Sequence, residues 1–117
     1  MNRIKKISPL TETTFYILIS LLEPLHGYGI MQKVINLSKG RIHLGPGTLY
    51  GALGNLVGAG LIIHKESLET NPRRKIYIIT GLGKELIKYE IRRLKEMVQN
   101  GENLLHEKGA ADESGYS

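Results

Sequence analysis

The stretch from Pro46 to Gly60 constrains this chain more than any other, because it interleaves two residue types at helical spacing. Leu49, Leu53 and Leu56 recur at one set of positions, and Gly47, Gly51, Gly54 and Gly58 at another. At about 100° per residue the glycines fall within roughly 60° of one another and the leucines lie nearly opposite. A helix here has one apolar face to bury and a second face stripped of side chains, flanked by Thr48 and Asn55 on one side and Tyr50 on the other. Each interior glycine costs a helix about 1 kcal/mol relative to alanine, so the segment depends on packing of its leucines against other elements.

The neighbouring segments supply those elements. Ser8-Pro9 reads as an N-cap followed by proline at the first helical position, opening a helix with Phe15, Leu18, Ile19 and Leu22 on one stripe and Glu23-Pro24 at its end. A second helix starts near Gly27, carries Ile30, Met31, Val34 and Ile35, and closes at Gly40. After Gly60 the period changes. Leu61 to Ser67 and Lys75 to Thr80 are rich in isoleucine, with turn chemistry at Glu69-Thr70-Asn71-Pro72 between them, which predicts a hairpin. Thr80 then caps a long helix from about Leu82 to Leu105, although Gly83 stands where a capping-box glutamate belongs.

Three short helices and a hairpin are the order of a winged helix-turn-helix, whose third helix enters a DNA major groove while the hairpin flanks it. The expected fold class is therefore mainly α (α+β), a winged helix-turn-helix with a long C-terminal dimerisation helix. The expected divisions are a DNA-binding domain over 1–80, the dimerisation helix over 81–108 and a flexible tail over 109–117.

Composition narrows the function. The 117 residues carry 16 Lys+Arg against 11 Asp+Glu, a net charge of +5 that favours a polyanionic partner. The charge clusters at Arg73-Arg74-Lys75, on the turn side of the hairpin, where it would meet the duplex backbone or minor groove. Lys39 and Arg41, between the second and third helices, are further phosphate candidates. There is no cysteine, so disulfides, thiolate zinc sites and thiol nucleophiles are excluded. The longest apolar run, Phe15 to Leu22, is too short to span a bilayer, and the basic start lacks a secretory pattern, so a cytoplasmic location is expected.

Several short motifs recur in one order: His26-Gly27-Tyr28-Gly29-Ile30, Gly47-Thr48-Leu49-Tyr50, Leu53 and Leu56 leading into Gly60-Leu61-Ile62, and Arg74 and Tyr77 before Thr80 and Gly83. In this combination, from about Leu10 to Gly83, the chain resembles the PadR family of transcriptional regulators, and its single long C-terminal helix is similar to the shorter subclass. The resemblance implies a homodimeric DNA-binding regulator, usually a repressor released by a small molecule or another signal. The expected DNA-binding residues are Gly47, Thr48, Tyr50, Gly51, Gly54 and Asn55 on the third helix, Arg73, Arg74 and Lys75 on the wing, and Lys39 and Arg41 beside the turn. Family members often carry basic or polar side chains where this chain has glycine. The bare face serves close approach of the helix backbone to DNA or tight packing of another helix, or merely reflects tolerance of glycine there.

In the last helix Ile87, Ile91, Leu94, Val98 and Leu105 follow a coiled-coil-like seam, expected to join two copies and present two recognition helices to a pseudo-palindromic operator, the alternative being that the stripe packs onto the chain's own core. Its remaining surface, including Glu90, reads as a charged face turned to water. Tyr16, Tyr89 and Met97 suit either a cavity for a small-molecule effector or plain packing, and no ligand is identified.

Enzymatic constellations are missing. His26, His43, His64 and His106 lack paired metal-ligand spacing, and no catalytic residue, metal or cofactor is expected. Gly81-Leu82-Gly83-Lys84 departs from a phosphate loop, since Glu85 follows it and Ile78 stands at the leading glycine position. Gly27-Tyr28-Gly29 lacks the third glycine of a dinucleotide site. The alternative to a DNA reader is a winged-helix module that docks on proteins without sequence-specific DNA binding.

Overall fold

The computed structural model of the protein describes residues 2–68 and 74–113. In chain order its elements are α1 (Asn2–Ile7), α2 (Glu12–Ser20), β1 (Leu25–His26), α3 (Gly27–Leu37), α4 (Pro46–Gly58), β2 (Ile62–Ser67), β3 (Arg74–Ile79) and α5 (Gly81–Glu113). This is the expected winged helix-turn-helix with its long final helix, preceded by one further helical turn and a half at the N-terminus. The expected turn at 69–72 and the end of the tail, 114–117, lie outside the described residues.

The leucine pattern of α4 does what its spacing requires. Leu49, Leu53 and Leu56 are buried in one core with Ile17, Leu18 and Leu21 of α2 and its end, Ile30 and Val34 of α3, and Leu61, Ile62, Tyr77 and Ile79 of the sheet. Gly60, at φ +77°, ends α4 as only glycine does comfortably, and the Leu61 N–H donates back to the Leu56 carbonyl at 3.0 Å. The Arg3 guanidinium of α1 donates to the Ala59 carbonyl at 2.7 Å, placing a cation at the negative end of α4.

The wing is a three-stranded antiparallel sheet in the order β1-β3-β2. The pairings Ile62↔Ile79 and Ser67↔Arg74 set its main register, and the two residues of β1 add Leu25↔Tyr77 and His26↔Ile76. Thr80 joins the wing to α5: its hydroxyl donates to the Gly60 carbonyl at 2.7 Å and accepts from Gly83 N–H at 3.1 Å. A Cβ at Gly83 would lie 2.4 Å from the Leu61 carbonyl oxygen, so glycine replaces the capping-box glutamate because α5 starts hard against the head of β2.

Three expectations change at the N-terminus and along α5. Ser8-Pro9 does not open α2. Thr11 is the N-cap, accepting from Thr14 N–H at 3.1 Å, because Ser8 is engaged elsewhere: its hydroxyl donates to Glu90 Oε2 at 2.6 Å. Glu90 is 1% exposed rather than part of a solvated face. It also accepts from the Leu10 N–H at 2.6 Å and from Arg93 Nε at 2.8 Å, so one carboxylate ties the entry of α2 to α5. The Arg93 guanidinium is the largest cause holding the Glu90 carboxyl down at about 2, against the opposing effect of burial, with Ser8 and Leu10 adding their hydrogen bonds. Finally, α5 runs to Glu113, past the expected boundary at Lys108, since Ala110-Ala111 favours helix after Gly109.

Candidate nucleic-acid interface

With its leucines buried, α4 turns the glycine stripe outward. Gly47, Gly51, Gly54 and Gly58 are exposed, and a Cβ built at any of them meets nothing within 4 Å. Among the described residues no other element packs on that face. Thr48, Tyr50 and Asn55 are exposed beside it.

The wing reaches the same surface. Arg74 and Lys75 are exposed at the start of β3, and they share a groove of about 710 Å³ with Tyr50 of α4, Gly27 and Tyr28 at the start of α3, and Tyr77. Gly27 shapes this groove, since a Cβ there would lie 2.3 Å from the Tyr50 hydroxyl, which rests over the first turn of α3. His26, the residue before α3, points its Nδ1 at the Lys75 carbonyl at 3.3 Å, and because a carbonyl only accepts, Nδ1 carries the proton. Tyr77 is 5% exposed and stacks at a tilt on His64, with ring centroids 5.6 Å apart. Burial, and secondarily Tyr50, raises its hydroxyl above the ordinary phenol range.

The other expected site residues are placed as follows. Arg73 lies outside the described residues. Lys39 is exposed, at φ +52° in the turn after α3. Arg41 is paired with Glu12 of α2 at 3.0 Å, so its charge is partly neutralised within the chain. On α5, Ile87 is 6% exposed and belongs to the chain's own core, because the first turns of the helix pack on α1 and α2. Ile91, Leu94, Val98 and Leu105 are exposed, together with Met97 and Leu104. Of the three effector candidates, Tyr16 lines a 260 Å³ cleft with Phe15, Arg93 and Leu94, Tyr89 packs at the core margin and Met97 is exposed. Among the described residues no cluster of His, Cys, Asp or Glu is able to hold a metal ion, and no helix is long and apolar enough to cross a membrane.

Sequence reasoning missed the groove's contributors His26 of β1 and Tyr28 of α3, as well as Tyr77. The available signal was Gly27: a glycine at the start of a helix whose partner motif ends in a tyrosine.

Comparison with known proteins agrees with this arrangement. The family model of the PadR-like transcriptional regulators matches residues 16–89. A PadR family transcription regulator from Clostridium difficile superposes with a TM-score of 0.70 at 23% identity, over 81% of this chain and 99% of that one. A PadR-like transcription factor from Bacteroides fragilis gives 0.65 at 26% identity, over 79% and 87%. Bacillus subtilis PadR in complex with operator DNA gives 0.62 at 21% identity, over 71% and 48%. An uncharacterized 37.1 kDa protein in transposon TN4556 of Streptomyces fradiae is 40% identical over 67 residues, and this chain spans only 18% of its length. With the family's sequence pattern running from α2 into α5 and the same winged fold in these relatives, the chain belongs to the PadR-like family of transcriptional regulators.

Proposed function

We propose that this regulator acts as a homodimeric repressor that binds a pseudo-palindromic operator through α4 and the wing, and that a small molecule or another signal releases it. The observation that carries the reading is the contiguity of two surfaces: the uncovered glycine face of α4, and the Arg74-Lys75 end of β3, meet across the groove lined by Tyr50. A helix without side chains on its outer face lets its backbone lie close to the duplex, leaving Thr48, Tyr50 and Asn55 to reach bases or phosphates. Asn55 suits a bidentate contact with adenine. Arg73, Arg74 and Lys75 supply backbone charge, Lys39 adds to it, and Arg41 contributes less because of Glu12. Ile91, Leu94, Val98 and Leu105 form the intersubunit seam, whereas Ile87 is occupied in the chain's own core.

Selection of bound fragments from a random DNA pool tests this directly. Recovery of an inverted repeat is the expected result. Recovery of no shared sequence, with no affinity for duplex at low salt, would favour a protein-docking module instead.

Two substitution experiments separate the parts. Alanine at Gly51 or Gly54 meets no obstruction, so each should raise stability by about 0.5 to 1 kcal/mol and the melting temperature by several degrees, yet weaken operator binding. Higher stability with unaltered affinity would defeat close approach as the reason for the glycines. Arg74→Ala combined with Lys75→Ala should weaken binding to all sequences and reduce the slope of log affinity against log salt by about 4 for a dimer on its operator, roughly one for each phosphate that is no longer neutralised in the two half-sites. An unchanged slope would remove the wing from the interface.

A further inference from the structure

The groove between α3, α4 and the wing combines three features, of which the reading above uses only the exposed Tyr50. Among the described residues no side chain caps the first turn of α3: His26 stands at the N-cap position without a capping hydrogen bond, and the N–H groups of that turn have no intrahelical partner. The Tyr50 hydroxyl lies over that turn, in space that only glycine at position 27 leaves open. Tyr77 is more than nine-tenths buried, lines the same groove, and its hydroxyl makes no hydrogen bond among the described residues. Every wholly buried side-chain polar atom among those residues has a partner, so the Tyr77 hydroxyl keeps contact with the groove instead of ending in the core.

The uncapped first turn of α3, two phenol hydroxyls and the Lys75 ammonium are all able to donate, and together they line one groove. Isoleucine flanks Tyr77 on both sides along β3, and phenylalanine would fill its place in the core equally well. A hydroxyl retained there, without a hydrogen-bond partner among the described residues and accessible from the groove, is placed to donate to a ligand that enters it. Lys75 lines the groove from the strand edge and makes no ion pair among the described residues.

We propose that this groove is a clamp for one phosphodiester of the DNA backbone, held by the open first turn of α3 and the hydroxyls of Tyr50 and Tyr77, with Lys75 supplying the charge. The clamp rests on the DNA-binding reading above and adds to it a positioning contact that reads no base. One phosphate seated between α3, α4 and the wing would fix the distance at which the bare face of α4 meets the bases.

Tyr77→Phe in the full chain is the decisive variant, measured by fluorescence anisotropy on the selected duplex across a salt series and by thermal melting. The expected result is an affinity loss of about tenfold, a melting temperature no lower than the original and an unchanged salt slope, because a neutral hydroxyl releases no counterion. Tyr50→Phe, at a half-exposed ring, should behave alike, whereas Lys75→Ala should lower the slope by about 2, one for each half-site. In the selected duplex, one neutral methylphosphonate position per half-site should weaken the original protein while costing Tyr77→Phe nothing further.

Full affinity in both phenylalanine variants, with Lys75→Ala still weakened, would overturn the clamp and leave the DNA-binding reading standing. Stabilisation of the original protein but not of Tyr77→Phe by inorganic phosphate, with equal duplex affinities, would assign the groove to a free oxyanion and overturn the duplex assignment. An original protein that ignores duplex at low salt would overturn both readings together.

Discussion

Leu94→Glu should turn the protein into a monomer without sequence-specific DNA binding. Leu94 is 37% exposed, at the point where α5 leaves the domain that buries Leu86, Ile87 and Glu90. Beyond it Met97, Val98, Leu104 and Leu105 continue an exposed apolar stripe, and among the described residues no core side chain packs against it. The helix has 33 residues, about 50 Å of axis, and the molecule is 67 Å in its longest dimension, so the distal half of α5 projects free. Such a helix gains about 1.5 to 3 kcal/mol for each large apolar side chain that a second copy covers, and a buried unpaired carboxylate at Leu94 costs several kcal/mol in the opposite direction. In the proposed dimer, losing the seam would also lose simultaneous engagement of two half-sites, which alone is worth about 10² to 10⁴ in affinity. Sedimentation equilibrium reads the first effect and operator titration the second. A Leu94→Glu protein that remains dimeric would reject the seam.

Glu90→Gln should be the most damaging conservative change within the subunit. The carboxylate accepts from Ser8, Leu10 and Arg93 while 1% exposed, and the amide leaves the Arg93 guanidinium without its counter-charge and turns an NH2 donor toward groups that already donate. Breaking one side of a buried pair typically costs about 3 to 5 kcal/mol. The pH dependence identifies the cause. With the folded carboxyl at about 2 and the ordinary value at 4.5, Glu90 contributes its full stabilisation, about 3 kcal/mol, above pH 4.5 and loses it as pH falls toward 2. Denaturant melts at pH 6 and pH 2.5 should therefore show a large gap between the original protein and Glu90→Gln that narrows in acid. A gap independent of pH would mean that packing, rather than the charge, is what Glu90 supplies.

The parts of this molecule that were legible in the sequence are those fixed by local periodicity. The leucine and glycine phases of α4, the stripe of α3 and the two isoleucine runs of the wing each carry their own period, and each forms the expected element. What escaped depends on contacts between distant segments. The two residues of β1 are a strand only because β3 lies beside them. The six residues of α1 are too few to display a helical stripe, and Arg3 gains its purpose from the Ala59 carbonyl, far along the chain. Glu90 sits among lysines and arginines and reads as a solvated position until Ser8 and Leu10 close over it. In the interface, the outward glycine face followed from the inward leucines, whereas the groove required the meeting of Gly27, Tyr50 and Tyr77 from three elements.

The most direct measurement is an amide NMR titration of the isotopically labelled protein with its selected duplex. If the bare face of α4 and the edge of β3 together receive the double helix, the amides of Gly47, Gly51, Gly54 and Gly58 shift along with those of Arg74 and Lys75, while the buried turns of α5 around Leu86 stay still. Glycine amides on α4 that do not move as the duplex saturates, with the perturbation confined to another surface, would contradict that assignment.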